Sequence, residues 1–539
     1  MRGAFLITLA QLVTKILGAI HRPVAQLILG GDYGIGMASP PSNAYYIILG
    51  ISSVGLNVAI SRLVSERIAL GDLRGARRVF RVAAGTLLVS GVFFSAAFAL
   101  FSPYLARVTG FPESTPGFFV LAPALFFVAV LCVFRGLYQG MQQMEPSAMS
   151  QVVEQIARVT FSTILMLVLT PVALSYGAAS FNAGNTIGIF LGVVYLGWLY
   201  LKRRPTAAWT TVAPDIESYE HESMGRLLRR ILAIAVPLSV IGAILPVMNF
   251  VDSSLVKNRL LDLWVGIQQL DPEVLAQLNT RAGEALGWLG NAGTLRDLPT
   301  VLTTALYISL VPAITESLAL GRIDQARSRI ATAFRITFLI GIPATVGLLV
   351  GARDAYGVAF TGEGWIVMGP LALSTILVMV QQTAAGPLQG VGRIWLSVRN
   401  LVAGLVVKIV LTYWWTGVPG LEARGAAYAT VAGFGLAAAL NLWGLWRYLG
   451  FRVNVRGDVA KPLLASLPMA VVLWLLSPLV RYVVPWNRIA GLIVVAMGGV
   501  AYLVAILALG GVTMADIGLI PGFSQRTANR LRRYRLLRD

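Results

Sequence analysis

Histidine and cysteine are almost missing: two and one among 539 residues. A lone Cys132, inside an apolar run, cannot form an intrachain disulfide, and a packed thiol is the expected role. Two histidines with no carboxylate or thiol cluster around them leave no metal site to propose. No P-loop is present, so hydrolysis of a bound ATP is excluded as the energy source. Gly34-Ile35-Gly36 is an isolated fragment, not a dinucleotide fingerprint. No cofactor is expected, and any transport would draw on a cation gradient, the membrane potential or the substrate itself. Charge is scarce too: 12% of residues, where a soluble domain carries about a quarter.

What is present is apolar sequence, at 57% of the chain, in runs of about 20 residues. Phe161 to Leu169 and Leu492 to Leu509 are typical. They show none of the short alternation of a membrane β-barrel, and an isolated span must satisfy its own backbone, so helices are expected. We place about fourteen transmembrane helices near 4–29, 43–66, 79–101, 117–140, 147–171, 177–201, 231–255, 299–319, 331–351, 365–390, 397–415, 425–447, 462–484 and 489–510. The first run contains Lys15 and is longer than a signal-peptide core, so it reads as a span. The net charge of +19 reads as positive-inside loops rather than nucleic-acid binding. With both termini cytoplasmic, Arg74, Arg77, Arg78, Lys202, Arg226, Arg322, Arg327, Arg447, Arg452 and the 526–538 tail all fall inside.

The sequence repeats itself at an offset of about 250. Ser65-Glu66, Ala69-Leu70-Gly71 and Ala76-Arg77 answer to Thr315-Glu316, Ala319-Leu320-Gly321 and Ala326-Arg327. Gln139-Gly140 answers to Gln389-Gly390, and Gly177-Ala178-Ala179 to Gly425-Ala426-Ala427. The expected fold is an all-α membrane protein of two tandem six-helix lobes, related by a pseudo-two-fold along the membrane normal, plus two C-terminal helices. The divisions are a lobe at 1–201, a basic cytoplasmic linker at 202–230 and a second lobe at 231–450, then two helices at 451–510 and a basic tail at 511–539. Inserted in the second lobe, 256–298 mixes apolar and charged residues; outer-interface amphipathic helices or a loop packed on the bundle both fit. Two similar bundles that rock about a central site suit alternating access, with Pro23, Pro123, Pro237, Pro246, Pro312, Pro343 and Pro387 as bending points.

Charges inside spans mark the candidate sites. Lys15 and Arg22 are seven apart, hence on one helix face, either lining a cationic cavity for a pyrophosphate or snorkelling to an interface. Glu154 and Arg158 are spaced to pair on their own helix, with Arg135 projecting toward them. Arg62 lies near the end of the second span. Asp252 is either an ion-coupling carboxylate or a solvated helix end. Glu66 and Glu316, beside arginines, look structural.

Several segments together resemble the polysaccharide biosynthesis branch of the multidrug/oligosaccharidyl-lipid/polysaccharide exporter superfamily, in particular its stage V sporulation protein B and lipid II flippase-like group. They are Thr14-Lys15-Ile16-Leu17-Gly18 with Arg22, Val58 to Val64, Arg135 to Met141 running into Ser150 to Gln155, and Leu298-Pro299-Thr300 with Val311 to Ile314. The resemblance implies flipping of an undecaprenyl-pyrophosphate-linked saccharide, lipid II or a polysaccharide precursor, across a bacterial cell membrane, without enzymatic chemistry. It implies that basic residues of the first span line the central cavity, a position that Lys15 matches; the candidate substrate site read here is Lys15, Arg22, Arg62 and Arg135, with Asp252 and Glu154 as possible ion-coupling residues. Arg22 departs from the family spacing by one, and a family arginine deep in the second span has no counterpart, Arg62 lying further along.

Two other functions compete. A drug/cation antiporter on the same fold wants acids in its cavity, and few acids lie within spans. A membrane-embedded glycosyl transfer enzyme wants clustered carboxylates on an outer loop, and those of 256–298 are scattered. The expected partners are a lipid-linked saccharide and membrane lipid.

Overall fold

The computed structural model describes residues 2–203, 223–265 and 271–511. Most of the linker, five residues of the insertion and nearly all of the basic tail lie outside the described residues, as does the side chain of Pro312.

The described chain is helical throughout. In order it runs α1 (Arg2–Ile28), α2 (Asp32–Gly50), α3 (Asn57–Ala69), α4 (Leu73–Val108), α5 (Thr115–Gly140), α6 (Met144–Leu169) and α7 (Leu174–Arg203). Then come α8 (Met224–Val265), α9 (Pro272–Asp297), α10 (Thr300–Ala319), α11 (Ile323–Val350), α12 (Ala352–Ala359) and α13 (Trp365–Gly390). The last four are α14 (Ile394–Thr416), α15 (Ala423–Leu449), α16 (Ala460–Val483) and α17 (Asn487–Ala508). Among the described residues, eleven helical stretches are long and apolar enough to cross a membrane. Adding α1, the α2–α3 pair and α10 gives the fourteen spans read from the sequence. Large apolar side chains stand out on the surface, including Val89 (74% exposed), Leu100 (77%) and Trp474 (72%), as expected of faces turned to lipid rather than water.

Lipid removes the hydrophobic drive between helices, so contacts must come from close van der Waals approach and small residues. Glycine supplies them. A Cβ on Gly140 of α5 would sit 2.7 Å from Val64 Cβ on α3; one on Gly390 of α13 would sit 3.0 Å from Ile314 Cβ on α10. Those are the two Gln-Gly pairs of the repeat. Their glutamines repeat as well: Asn57 Nδ2 donates to Gln139 Oε1 (3.2 Å) and Tyr307 OH to Gln389 Oε1 (2.7 Å).

The Ala-Leu-Gly signature is a helix terminator. Gly71 (φ 74°) and Gly321 (φ 69°) adopt left-handed conformations that close α3 and α10. In one turn Asp72 N donates to Arg67 O at 2.9 Å; in the other Arg322 N donates to Ser317 O at 2.8 Å. Glu66 and Glu316 lie beside these turns, Glu66 paired with Arg230 (2.8 Å) and Glu316 with Arg329 (3.7 Å).

The described chain forms two compact units, 1–290 and 291–539, divided inside α9. That division falls later than the start of the second sequence repeat. The reason is in α8, which packs on the first unit: Asn43 Nδ2 of α2 donates to Ser253 Oγ (2.8 Å), and Ser239 Oγ donates to Ile51 O (2.8 Å). Ile51 opens a π-helical segment, Ile51–Leu56, between α2 and α3, and a Cβ on Gly55 there would meet the α8 backbone.

In the insertion, 256–265 continue α8, and beyond the five residues outside the described ones 272–297 form one long helix, α9, rather than several short ones. Its first turns are exposed, while Ala282, Ala285, Leu286 and Trp288 are buried. Gly283 and Gly287 bring it onto Tyr33 and Asp32 at the start of α2. Within the second unit, α16 and α17 share a core of Ala465, Met469, Leu473, Val494, Tyr502 and Ile506, and Tyr502 OH donates to Leu339 O of α11 (2.6 Å). The short α12, not foreseen, carries buried Asp354, which Arg481 of α16 holds at 2.8 Å. Pro23, Pro123, Pro237, Pro246, Pro343 and Pro387 all sit within continuous helices.

Candidate functional site

The first unit gathers most of its span charges where α1 packs beside α6. On α1, Lys15, Gly18 and Arg22 lie three and four residues apart and therefore share a face. Lys15 is exposed and Arg22 half-buried. Arg22 Nη2 donates to Ser39 Oγ of α2 at 3.4 Å, and its guanidinium lies against the backbone of Gly290. His21, buried one position earlier, contacts Ser162 of α6 through Nε2 at 2.7 Å and stacks on Phe181 of α7.

Glycine at 18 lets α6 approach. A Cβ there would lie 3.1 Å from Arg158 Nη2 and 3.6 Å from Gln155 Nε2. Arg158 Nη1 donates to Tyr46 OH (3.3 Å) and Asn185 Oδ1 (3.4 Å), both neutral. The expected Glu154–Arg158 pair does not form. Glu154 instead binds Arg135 of α5 at 2.8 Å, and Arg135 Nε donates to Ser150 Oγ at 2.9 Å. An i, i+4 spacing makes a pair possible, but the guanidinium reaching from α5 takes Glu154 instead, their side chains 12% and 23% exposed.

The six sequence candidates therefore divide. Lys15 and Arg22 share the α1 face next to α6, and Arg135 and Glu154 form an ion pair on α5 and α6. Arg62 is exposed on α3 and Asp252 half-buried on α8. Asp32 was missed. It is buried at the start of α2, accepting from Gln26 Nε2 (2.6 Å) and from Trp288 Nε1 (3.0 Å), 256 residues away. Gln155 and Gly18 were missed as site residues as well, although both lie in segments that carry the family resemblance, because neither an amide nor a glycine bears a charge to flag.

The second unit keeps its buried ion pair, Asp354–Arg481, on α12 and α16, and joins α10, α11, α13, α14 and α15 through neutral groups. Asn400 Nδ2 donates to Asn441 Oδ1 (2.9 Å), Thr337 meets Thr383 (2.8 Å), and Thr303 Oγ1 donates to Gln382 Oε1 (2.7 Å). These are neutral pairs. Its one buried span cation among the described residues, Lys408 of α14, lies 250 residues after Arg158 and packs its Cβ on Gly433.

The fold is one shared with solved MATE family transporters and with a solved lipid II flippase. A multidrug resistance MATE family transporter of the MOP superfamily, solved inward-facing, superposes with a TM-score of 0.66 at 16% identity, covering 81% of this chain and 94% of that one. A lipid II flippase MurJ, in an inward closed conformation, gives 0.65 at 15% identity over 94% and 98%. The chain belongs to the polysaccharide biosynthesis protein family, whose model matches residues 1–317. It is 25% identical to the lipid II flippase MurJ of Bacillus subtilis (strain 168) over 98% of both chains, and 25% identical to the stage V sporulation protein B of the same organism over 85% of both.

Proposed function

We propose that this chain is a flippase that carries an undecaprenyl-pyrophosphate-linked saccharide from the inner to the outer leaflet of a bacterial cell membrane by alternating access. The observation that carries the reading is the cationic face of α1, Lys15 and Arg22, set beside Arg158 of α6. A diphosphate needs cations to leave the headgroup region, and guanidinium groups bind its oxygens in pairs. The family and the full-length likeness to a lipid II flippase support the same substrate class. Nothing in this transport calls for bond-making by the protein, so we infer a transporter and not an enzyme. We take 1–201 and 231–450 as the two lobes that move, with both termini cytoplasmic. A lipid-linked saccharide is the partner, and a cation gradient or the membrane potential is the proposed driving force.

The test is translocation of labelled lipid II in proteoliposomes. Lys15→Ala and Arg22→Ala are expected to abolish it while expression and helicity stay unchanged. Full activity in both variants would remove the cationic site. A second reading, a drug/cation antiporter, has the MATE likeness in its favour. It requires proton- or sodium-driven efflux of a cationic dye by the wild-type protein and indifference to lipid II.

A further inference from the structure

We propose that the notch at Gly18 is a binding pocket for a phosphate oxyanion, formed by Gln155 and Arg158 of α6 against α1. Gln155 Nε2 and Arg158 Nη2 both border the space that a Gly18 Cβ would fill, and Gln155 Nε2 and Arg158 Nε are buried without an acceptor. Gln155 is 6% exposed. Their placement is fixed by the absent Cβ of Gly18, which would stand 3.6 Å from Gln155 Nε2 and 3.1 Å from Arg158 Nη2. Arg158 makes only long bonds to neutral oxygens, at 3.3 and 3.4 Å, and the nearest carboxylate in sequence, Glu154, is held by Arg135. Among the described residues no carboxylate pairs with Arg158.

An unpartnered amide N–H beside a fixed cation whose only acceptors are neutral selects a further acceptor that carries negative charge. Leaving these donors empty inside a lipid-immersed bundle is costly, and an oxyanion fills both needs at once. The pocket lies one helical turn from Lys15 and one from Arg22, so a diphosphate spanning that face reaches all three cations. The same chemistry comes from a lipid-carried diphosphate or from a free one. The lipid-carried source rests on the transport reading above; the pocket itself does not.

The experiment is binding to the purified full-length chain in detergent, with undecaprenyl pyrophosphate, undecaprenyl phosphate and inorganic pyrophosphate as separate probes. Arg158→Met and Gln155→Leu are each expected to weaken undecaprenyl pyrophosphate binding about tenfold or more, and Arg158→Lys to recover only part of the loss. Gly18→Ala leaves every charge in place and is expected to weaken binding several-fold by pushing the guanidinium aside, which keeps the test open if Arg158→Met does not fold. Weaker undecaprenyl phosphate binding that is insensitive to Gln155→Leu supports the diphosphate as the bound group. Inorganic pyrophosphate binding as tightly as the lipid supports the pocket and overturns the lipid source. Wild-type affinity in both Gly18→Ala and Gln155→Leu overturns the pocket, leaving its donors to water. If Lys15→Ala and Arg22→Ala still lose binding in that case, the transport reading survives the failure. No undecaprenyl pyrophosphate binding by the wild type, with inorganic pyrophosphate bound, keeps the pocket and sinks the transport reading. Binding of none of the three probes overturns the pocket.

Discussion

The two sequence repeats share a skeleton and differ in what they put inside it. Both close a helix with a left-handed glycine, Gly71 and Gly321, and both pass Gln-Gly against a partner helix through Gly140 and Gly390. Between those fixed points the first repeat places Arg135, Glu154, Gln155 and Arg158, and the second places Ala385, Gly404, Leu405 and Lys408 at the positions 250 further on. Duplication preserved the residues that let helices approach in lipid. Of these four positions it kept a cation only at 158 and 408; Arg135 and Glu154 have no charged counterpart, and the proposed substrate site lies in the first repeat.

That contrast can be broken in graded steps. Glu154→Ala strands Arg135 between α5 and α6, and should cost the most stability, about 3 kcal/mol. Asn441→Ala, which removes one member of a neutral pair in the second repeat, should cost only about 1 kcal/mol. Chemical denaturation in a mild detergent compares the two, and equal losses would mean that the charged pair does not distinguish the repeats. Next, Gly140→Leu and Gly390→Leu should each destabilise by about 2 kcal/mol through overpacking, and by similar amounts because the contacts repeat. A large effect at one and none at the other would show that only one Gln-Gly contact matters to packing. Smallest, Gly71→Ala and Gly321→Ala should each lose about 1 kcal/mol from the left-handed backbone, again in parallel. Thermal melts of the two single variants and the double variant check that they match and add.

The same contrast explains what the sequence could reveal. The spans were legible because most of the apolar runs are long enough to declare themselves alone, eleven of them as helical stretches among the described residues. The repeat was legible because Gly71 and Gly321, Gly140 and Gly390 are positions at which only glycine serves. Partnership was harder. Glu154 had a suitable arginine on its own helix, and nothing in the order of residues says that Arg135, 19 residues earlier, approaches it instead. Asp32 and Trp288 meet across 256 residues. Packing on the bundle was one of two readings of 256–298, and it stayed open because Gly283 and Gly287, which make the contact of α9, carry no hydrophobic signal. The eight-residue α12 is too short for periodicity to register.

The most direct measurement sets the two repeats against each other at their equivalent cations. Undecaprenyl pyrophosphate binding is compared in Arg158→Met and Lys408→Met, each verified as folded by its melting curve. We expect the first to lose about tenfold in affinity and the second to stay within about twofold of wild type. Equal losses, or a loss confined to Lys408→Met, would contradict the assignment of the phosphate site to the first repeat.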